Sequence, residues 1–448
     1  MQKIHTDDSS IPGLAARKTA VRLLGAVIDT STSLDGLTDN EHGHPQYLAL
    51  DGRDRALVRA ILASALRFRM TIEALIKARL DRSLPANAKS LSHLLHVGAA
   101  QILFLDVPDS AAVDLGVTQA KTDPRLIKFS GLVNAVLREI SRRKERALPA
   151  ALTKTIDAPD WFRQRVEGAY GADKAARIFA ALRSEAPVDF TVKSDPSGWA
   201  ERFGGAVLPT GSVRLAQLAG PVSDMPGFGD GEWWVQDAAA ALPARMFGDV
   251  SGQRVADLCA APGGKTAQLI AAGAHVTALD ASRNRLKRLK SNLDRLQMQA
   301  DIVEADLAKW TPDRPFDAVL LDAPCSSTGT VRRHPDVPYT KSLADVEKLA
   351  GVQRRLLEAA VKLVRPGGTI VFSNCSLDPK EGEEMVAAFL RENDDVENAP
   401  LGADEIVGAA PFIDQNGWLR TTPADFDLGD PALSGMDGFF AARLRRKG

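Results

Sequence analysis

The sequence predicts a multidomain chain: an all-α bundle, then a small α+β segment, then a Rossmann-like, doubly wound α/β domain. Three observations predict it. Apolar residues recur at helical spacing from Pro12 to Arg146, strand-like alternation first enters near Val188, and from Gln253 onward apolar strands alternate with helices. A length of 448 residues allows two or three domains, each large enough to bury its own core.

The first region, 1–147, reads as helix throughout. Leu57, Ile61, Ala65 and Phe68 recur at helical spacing, with Val58, Leu62 and Leu66 beside them, so one helix presents a broad apolar face. Further helices are expected at Ala15–Ile28, Ile72–Leu80, Ser90–Phe104, Ser110–Lys121 and Ser130–Arg146, punctuated by Leu84-Pro85, Val107-Pro108 and Asp123-Pro124. Around Leu148–Pro159 the period fades and proline appears, so 148–232 is read as a linker and a small α+β segment, with Val188, Phe190 and Val192 alternating. In 233–448, strands are expected at Arg254–Leu258, His275–Asp280, Asp301–Asp306, Phe316–Asp322 and Thr369–Ser373. Helices lie between them, as a parallel sheet covered on both faces requires.

Composition narrows the class. With 45% hydrophobic and 25% charged residues the chain is globular in type, and no apolar run is long enough to cross a membrane. Met1–Asp8 is polar and acidic, unlike a signal peptide, which leads to the expectation of a soluble, cytoplasmic, monomeric protein. The three cysteines, Cys259, Cys325 and Cys375, cannot pair evenly and form no CxxC, so neither a disulfide framework nor a metal is expected. The net charge of −1 hides an asymmetry: residues 1–150 hold 21 Lys+Arg against 16 Asp+Glu, and the remainder is acidic.

Arg254-Val-Ala-Asp-Leu-Cys-Ala-Ala-Pro-Gly-Gly-Lys-Thr266 runs from an apolar strand into a helix through adjacent glycines. That allows close backbone approach to a ligand at a helix N-terminus, but the spacing fits neither GxGxxG nor GxxxxGK[ST]. Asp257, Asp280, Asp306 and Asp322 fall at successive strand ends. One such aspartate would be an ordinary helix cap; four would repel a pyrophosphate and suit hydroxyls, an adenine amino group and a positive centre, as in S-adenosylmethionine.

Cys325 and Cys375 follow the fourth and fifth strands, so two thiols would face one crevice. A lone cysteine is usually a small buried hydrophobe, a reading that suits Cys259. A pair has a chemical use. Cytosine C5 is a poor nucleophile until a thiolate adds to C6, and a second group must then remove the C5 proton.

Asp257-Leu-Cys-Ala-Ala-Pro-Gly-Gly-Lys265, Asp322-Ala-Pro-Cys325, Arg332-Arg-His-Pro-Asp336 and Asn374-Cys-Ser-Leu377, with Trp234-Val-Gln-Asp-Ala-Ala239 upstream, closely resemble the RsmB (Fmu/Sun) branch of RNA 5-methylcytosine methyltransferases. The match runs from about Trp233 to Pro379, and the helical first region is similar in character to the NusB-like RNA-binding domain of that branch.

The resemblance implies a class I methyltransferase fold and methylation of C5 of a cytosine in 16S ribosomal RNA with S-adenosylmethionine as donor. It places the nucleophile at Cys375, the proton-abstracting cysteine at Cys325, and Asp322 and Lys265 where the target base and cofactor are oriented. Cofactor contacts would come from Cys259, Ala260, Ala261, Pro262, Gly263, Gly264, Lys265, Asp280, Asp306 and Asp322. Asn374 stands where relatives usually carry threonine.

Arg332, Arg333 and His334 are expected to meet the RNA backbone, the alternative being an ordinary loop ion pair. The clusters Arg53, Arg55, Arg59, Arg67, Arg69 and Arg138, Arg142, Arg143, Lys144, Arg146 are read as either solvated faces or RNA contacts. The same chemistry on tRNA, and a noncatalytic RNA-binding assembly factor, are the competing functions. A scaffold would need neither thiol.

Overall fold

A computed structural model describes residues 11–448; Met1–Asp8 and His5 lie outside the described residues. By compactness the chain divides into two units. One comprises the residues up to Gln164 together with His334–Ser342, and the other comprises Arg165–Arg333 and Leu343–Gly448.

The first unit is helical. Its elements are α1 (Leu14–Thr30), the short turns α2 (Leu34–Leu37) and α3 (Pro45–Leu48), α4 (Gly52–Arg67), α5 (Arg69–Lys77), α6 (Lys89–Phe104), α7 (Asp109–Thr122) and α8 (Ser130–Lys154). The apolar faces read from the sequence meet in one core, where Leu23, Leu24, Ile61, Leu62, Leu95 and Leu137 are fully buried. Asp51 caps α4 by accepting from the Asp54 amide at 2.8 Å.

Helix α8 runs through Pro149 to Lys154, beyond the expected start of the linker. Alanines on both sides favour helix, and the Thr153 hydroxyl donates to the Pro149 carbonyl at 2.9 Å. α9 (Asp160–Leu182) begins only five residues after the end of α8 and is kinked at Gly171. The nine residues His334–Ser342 belong to this helical unit: the Leu34 amide donates to Asp336 at 3.0 Å and the Trp161 indole to the Pro338 carbonyl at 2.9 Å.

The second unit carries two sheets. β1 (Val188–Val192), β2 (Ala206–Val207), β3 (Val213–Leu215) and β4 (Trp233–Val235) form an antiparallel sheet in the order β2-β3-β1-β4. The alternating Val188, Phe190 and Val192 make one of its two inner strands, and Phe190 packs edge-on to the fully buried Trp233.

The larger sheet contains β5 (Arg254–Leu258), β6 (His275–Asp280), β7 (Asp301–Glu304), β8 (Phe316–Asp322), β9 (Val364–Asn374), β10 (Val396–Asn398), β11 (Leu419–Arg420) and β12 (Phe440–Arg446). Its order is β10-β12-β9-β8-β5-β6-β7, with β11 paired to β12. β5 through β9 pair in parallel, as expected; β12 pairs antiparallel to β9, so the sheet is mixed rather than wholly parallel. β12, Phe-Ala-Ala-Arg-Leu-Arg-Arg, lacks the β-branched run that marks a strand, and its place is set by neighbours on both sides. The chain builds β5, β6 and β7 outward in one direction and then returns to place β8 and β9 on the other side of β5. The crevice at the carboxyl ends of β5 and β8 is therefore the topological switch point, where open α/β sheets bind ligands.

Candidate active site

The glycine loop joins β5 to a further helix, α10 (Gly264–Ala271). Gly263 precedes the helix at φ 104°, a left-handed conformation that suits glycine, and no side chain caps the helix start. The amide end of α10 thus faces outward from the loop with the positive end of the helix dipole behind it.

Asp257, which the sequence offers as a ligand-facing acid, is wholly buried and accepts the Thr266 hydroxyl at 2.6 Å. Burial pushes its carboxyl up to about 7. Asp257 therefore ties β5 to α10 from inside, with its second oxygen lacking a hydrogen-bond partner among the described residues. Asp280, 3% exposed, holds the loop from the adjacent strand: one oxygen lies 3.4 Å from the Ala261 amide, and Arg285 pairs with the same oxygen at 3.0 Å. Asp306 lies two residues past the end of β7, exposed, accepting the Ala308 amide at 3.1 Å. Asp322, at the end of β8, receives the Lys265 ammonium at 2.8 Å on one oxygen and the Ser373 hydroxyl at 2.9 Å on the other. The Lys265 ammonium also lies 4.8 Å from the centre of the Phe439 ring, so both its charge and its position are constrained. An uncapped helix start and two partly engaged strand-end carboxylates, Asp280 and Asp322, fit a ligand that carries hydroxyls, amino groups and a cationic centre.

The structure brings Cys325 and Cys375 together, with their sulfurs 3.4 Å apart. Their loops are held side by side. The Gly329 amide donates to the Cys375 carbonyl at 2.9 Å, and the Gly438 amide donates to the Gly329 carbonyl at 2.9 Å. A Cβ at Gly329 would lie 1.9 Å from the Gly438 carbonyl oxygen, so only glycine allows this crossing. Asn374 stabilises the turn before the nucleophile candidate: its amide donates to the Glu381 carbonyl at 2.7 Å and its oxygen accepts from the Ser376 amide at 3.0 Å.

The two thiols are electrically unequal. The hydrogen bond from Cys325 holds Cys375 below the ordinary thiol range, against burial and the charge of Asp322, with Lys265 adding a smaller favourable effect. The same hydrogen bond, then burial, then the charge of Cys375 push Cys325 well up. One proton is thus shared by a pair in which Cys375 is the readier thiolate. Cys259 is pushed up to about 12 by burial, then by Asp280 and Asp322, so it stays a neutral thiol.

Arg332 and Arg333 are not arranged as expected. Arg332 is 2% exposed and donates to the carbonyls of Ser434 and Glu185 at 2.9 and 2.8 Å. Arg333 pairs with Asp237 at 2.6 Å and Asp437 at 3.2 Å and donates to the Pro187 carbonyl at 3.0 Å. Both guanidiniums are engaged inside the unit, where they anchor the loop that follows Cys325. His334 lies in the helical unit, 3.1 Å from Asp35.

Sequence reasoning missed Ser326, Ser376 and Glu381. The serines follow the two cysteines directly and resemble any loop serine. Glu381 sits in the acidic run Lys380-Glu-Gly-Glu-Glu384, which reads as a solvated helix start, although Glu381 is fully buried.

Residues 246–445 match the family described as 16S rRNA methyltransferase RsmB/F, and residues 14–142 match the NusB family. A relative named Ribosomal RNA small subunit methyltransferase B from Xanthomonas campestris pv. campestris is 36% identical over 414 residues, 88% of this chain and 92% of that protein. A protein of the same name from Xylella fastidiosa is 38% identical over 449 residues, 96% of this chain and 98% of that protein. Among solved structures, a methyltransferase homolog protein from Pyrococcus horikoshii is 27% identical, covers 63% of this chain and 93% of that chain, and superposes with a TM-score of 0.51.

Proposed function

Because the chain belongs to the RsmB/F family of 16S ribosomal RNA methyltransferases, we propose that it methylates C5 of one cytosine in small-subunit ribosomal RNA through a covalent intermediate on Cys375. The observation that carries this reading is the 3.4 Å separation of the Cys325 and Cys375 sulfurs at the carboxyl ends of two adjacent parallel strands.

S-adenosylmethionine would be held by Cys259 to Lys265 with Asp280, Asp306 and Asp322, and would supply an electrophilic methyl group. The rest belongs to the protein. The target cytosine leaves its stack to reach the crevice. The Cys375 thiolate forms a bond to C6, the ring electrons move to C5, and C5 takes the methyl group. With Cys375 now neutral, the charge and hydrogen bond that keep Cys325 protonated are gone, so Cys325 gives its proton to solvent and, as the thiolate, removes the C5 proton. Restoring the C5–C6 double bond breaks the Cys375–C6 bond and frees the product. Asp322, close enough to act on the charge of Cys375 and fixed by Lys265 and Ser373, orients the base.

The test uses labelled methyl donor and small-subunit RNA. Cys375→Ala loses methyl transfer, and Cys325→Ala transfers one methyl and remains covalently attached to the RNA. Full turnover by Cys375→Ala, or release of free methylated RNA by Cys325→Ala at the normal rate, overturns the assignment. A tRNA substrate is separated by offering both RNAs in the same assay.

A further inference from the structure

Glu381 is fully buried, and its carboxylate reaches both cysteine loops at once. One oxygen accepts the Ser326 amide at 2.9 Å and the Gln353 side-chain amide at 3.0 Å. The other accepts the hydroxyls of Ser326 and Ser376, the latter at 2.6 Å. Ser326 is the residue after Cys325, and Ser376 is the residue after Cys375. The two hydroxyls also lie 3.2 Å apart, and Thr328 closes the group with Ser376 at 3.1 Å and the Leu377 amide at 3.0 Å. The carbonyl of Glu381 further receives the side-chain amide of Asn374, the residue before Cys375.

A buried carboxylate with no cation beside it is an expensive group to keep. Four donors offset that expense, and three of the four come from the residues next to the thiols. A neutral apolar residue would fill the space, but it could not accept from two loops simultaneously. The carboxylate's geometry, two oxygens with two lone pairs each, matches this arrangement. Gln353 ties the first oxygen back to the Pro324 carbonyl at 3.0 Å, so the residue before Cys325 is restrained as well.

We propose that Glu381 is a positioning residue of the reaction, whose carboxylate clamps the Cys325 and Cys375 loops so that the two sulfurs meet at contact distance. It touches neither the base nor the methyl donor. Its catalytic consequence rests on the cysteine chemistry proposed above, but the clamp itself is measurable without RNA.

Phenylarsine oxide reads the clamp. It captures two thiols that already lie close together, forming two As–S bonds and releasing one water. The full chain is treated with the arsenical, and capture at Cys325 and Cys375 is followed by mass spectrometry in the wild type, Glu381→Gln and Glu381→Ala. Capture is expected to slow by about tenfold or more in Glu381→Ala and by less in Glu381→Gln, which keeps one acceptor oxygen. Affinity for S-adenosylmethionine is expected to stay within about twofold, since Glu381 lies outside the glycine loop. In methyl transfer, kcat per cofactor-binding molecule, with the folded fraction counted from the stoichiometry of S-adenosylmethionine binding, should fall in the same order as capture, a loss that an unfolded fraction would not produce. Wild-type capture rates in both variants overturn the proposal, and so does a fall in kcat without slower capture. Should Glu381→Ala fail to fold, Ser376→Ala takes its place: slower capture supports the clamp and unchanged capture overturns it. Slowed capture in a protein whose wild type leaves cytosine C5 unmethylated retains the clamp and rejects only the functional reading.

Discussion

Cys259 and Cys375 occupy equivalent places, each one residue past the carboxyl end of a parallel strand beside the same switch point. Their chemistry differs by what surrounds them. Cys259 has burial and the carboxylates of Asp280, Asp322 and Asp257 against its charge, with Arg285 opposing them, and is pushed up to about 12. Cys375 also faces burial and a carboxylate, but a second thiol 3.4 Å away donates a hydrogen bond and holds it below the ordinary thiol range. Topology offers a thiol to the crevice; a neighbouring donor makes it the readier thiolate.

The largest effect should come from removing the favoured thiol. Cys375→Ser keeps shape and hydrogen bonding but substitutes a hydroxyl that scarcely ionises, and methyl transfer is expected to fall by at least about a thousandfold. Single-turnover transfer of labelled methyl measures it; a loss below about tenfold would mean that the favoured thiol is not the nucleophile.

Next comes the partner. If the hydrogen bond from Cys325 is what lowers Cys375, then Cys325→Ala should raise the Cys375 titration toward the ordinary thiol range. Rate rises with pH as Cys375 loses its proton, so the wild-type profile should level off at lower pH than that of the variant. Covalent adduct formation with RNA, followed from pH 6 to 10, reads both proteins in the same step. Coincident profiles would remove the donor from the explanation.

Asp322 has a smaller and more composite effect. It raises Cys375 by its charge while Lys265 opposes it. Asp322→Asn removes the first influence and frees the second, so the Cys375 thiolate should form at lower pH even as transfer slows by about a hundredfold, the scale of a lost positioning or proton-handling group. Iodoacetamide labelling of Cys375 gives the first quantity and kcat the second. Slower labelling together with slower transfer would break the separation between thiol tuning and base orientation.

The same contrast explains how much was legible in the sequence. The parallel strands, the helical faces and both cysteine positions follow from periodicity and from the rule that ligands meet strand carboxyl ends, which are local properties. The partners are not local. Arg332 and Arg333 read as a basic loop because Asp237 and Asp437, which enclose Arg333, lie about a hundred residues away in the chain on either side. Glu381 reads as surface because its acidic neighbours are surface. Asp257 reads as a ligand-facing acid because its strand-end position says nothing of the Thr266 hydroxyl that turns it inward. β12 was invisible for the same reason, its strand character coming from β9 and β10 on either side. Residue type and spacing locate a site; the charge state within it depends on contacts made through the fold.

The smallest effect belongs to Cys259, and it tests the comparison at its quiet end. A thiol pushed up to about 12 is ionised at pH 8 in about one molecule in ten thousand, since each pH unit below the titration point reduces the thiolate tenfold. Iodoacetamide at pH 8 should therefore label Cys375 first and Cys259 last, and the order should persist with RNA absent. Saturating S-adenosylmethionine should leave the Cys375 rate nearly unchanged. Cys259→Ala then removes only a small packed side chain, with methyl transfer within about threefold of wild type. Rapid alkylation of Cys259 would mean that Arg285 outweighs burial and the three carboxylates that oppose its charge. In that case the difference between the two strand-end thiols would lie in access to reagent rather than in proton affinity.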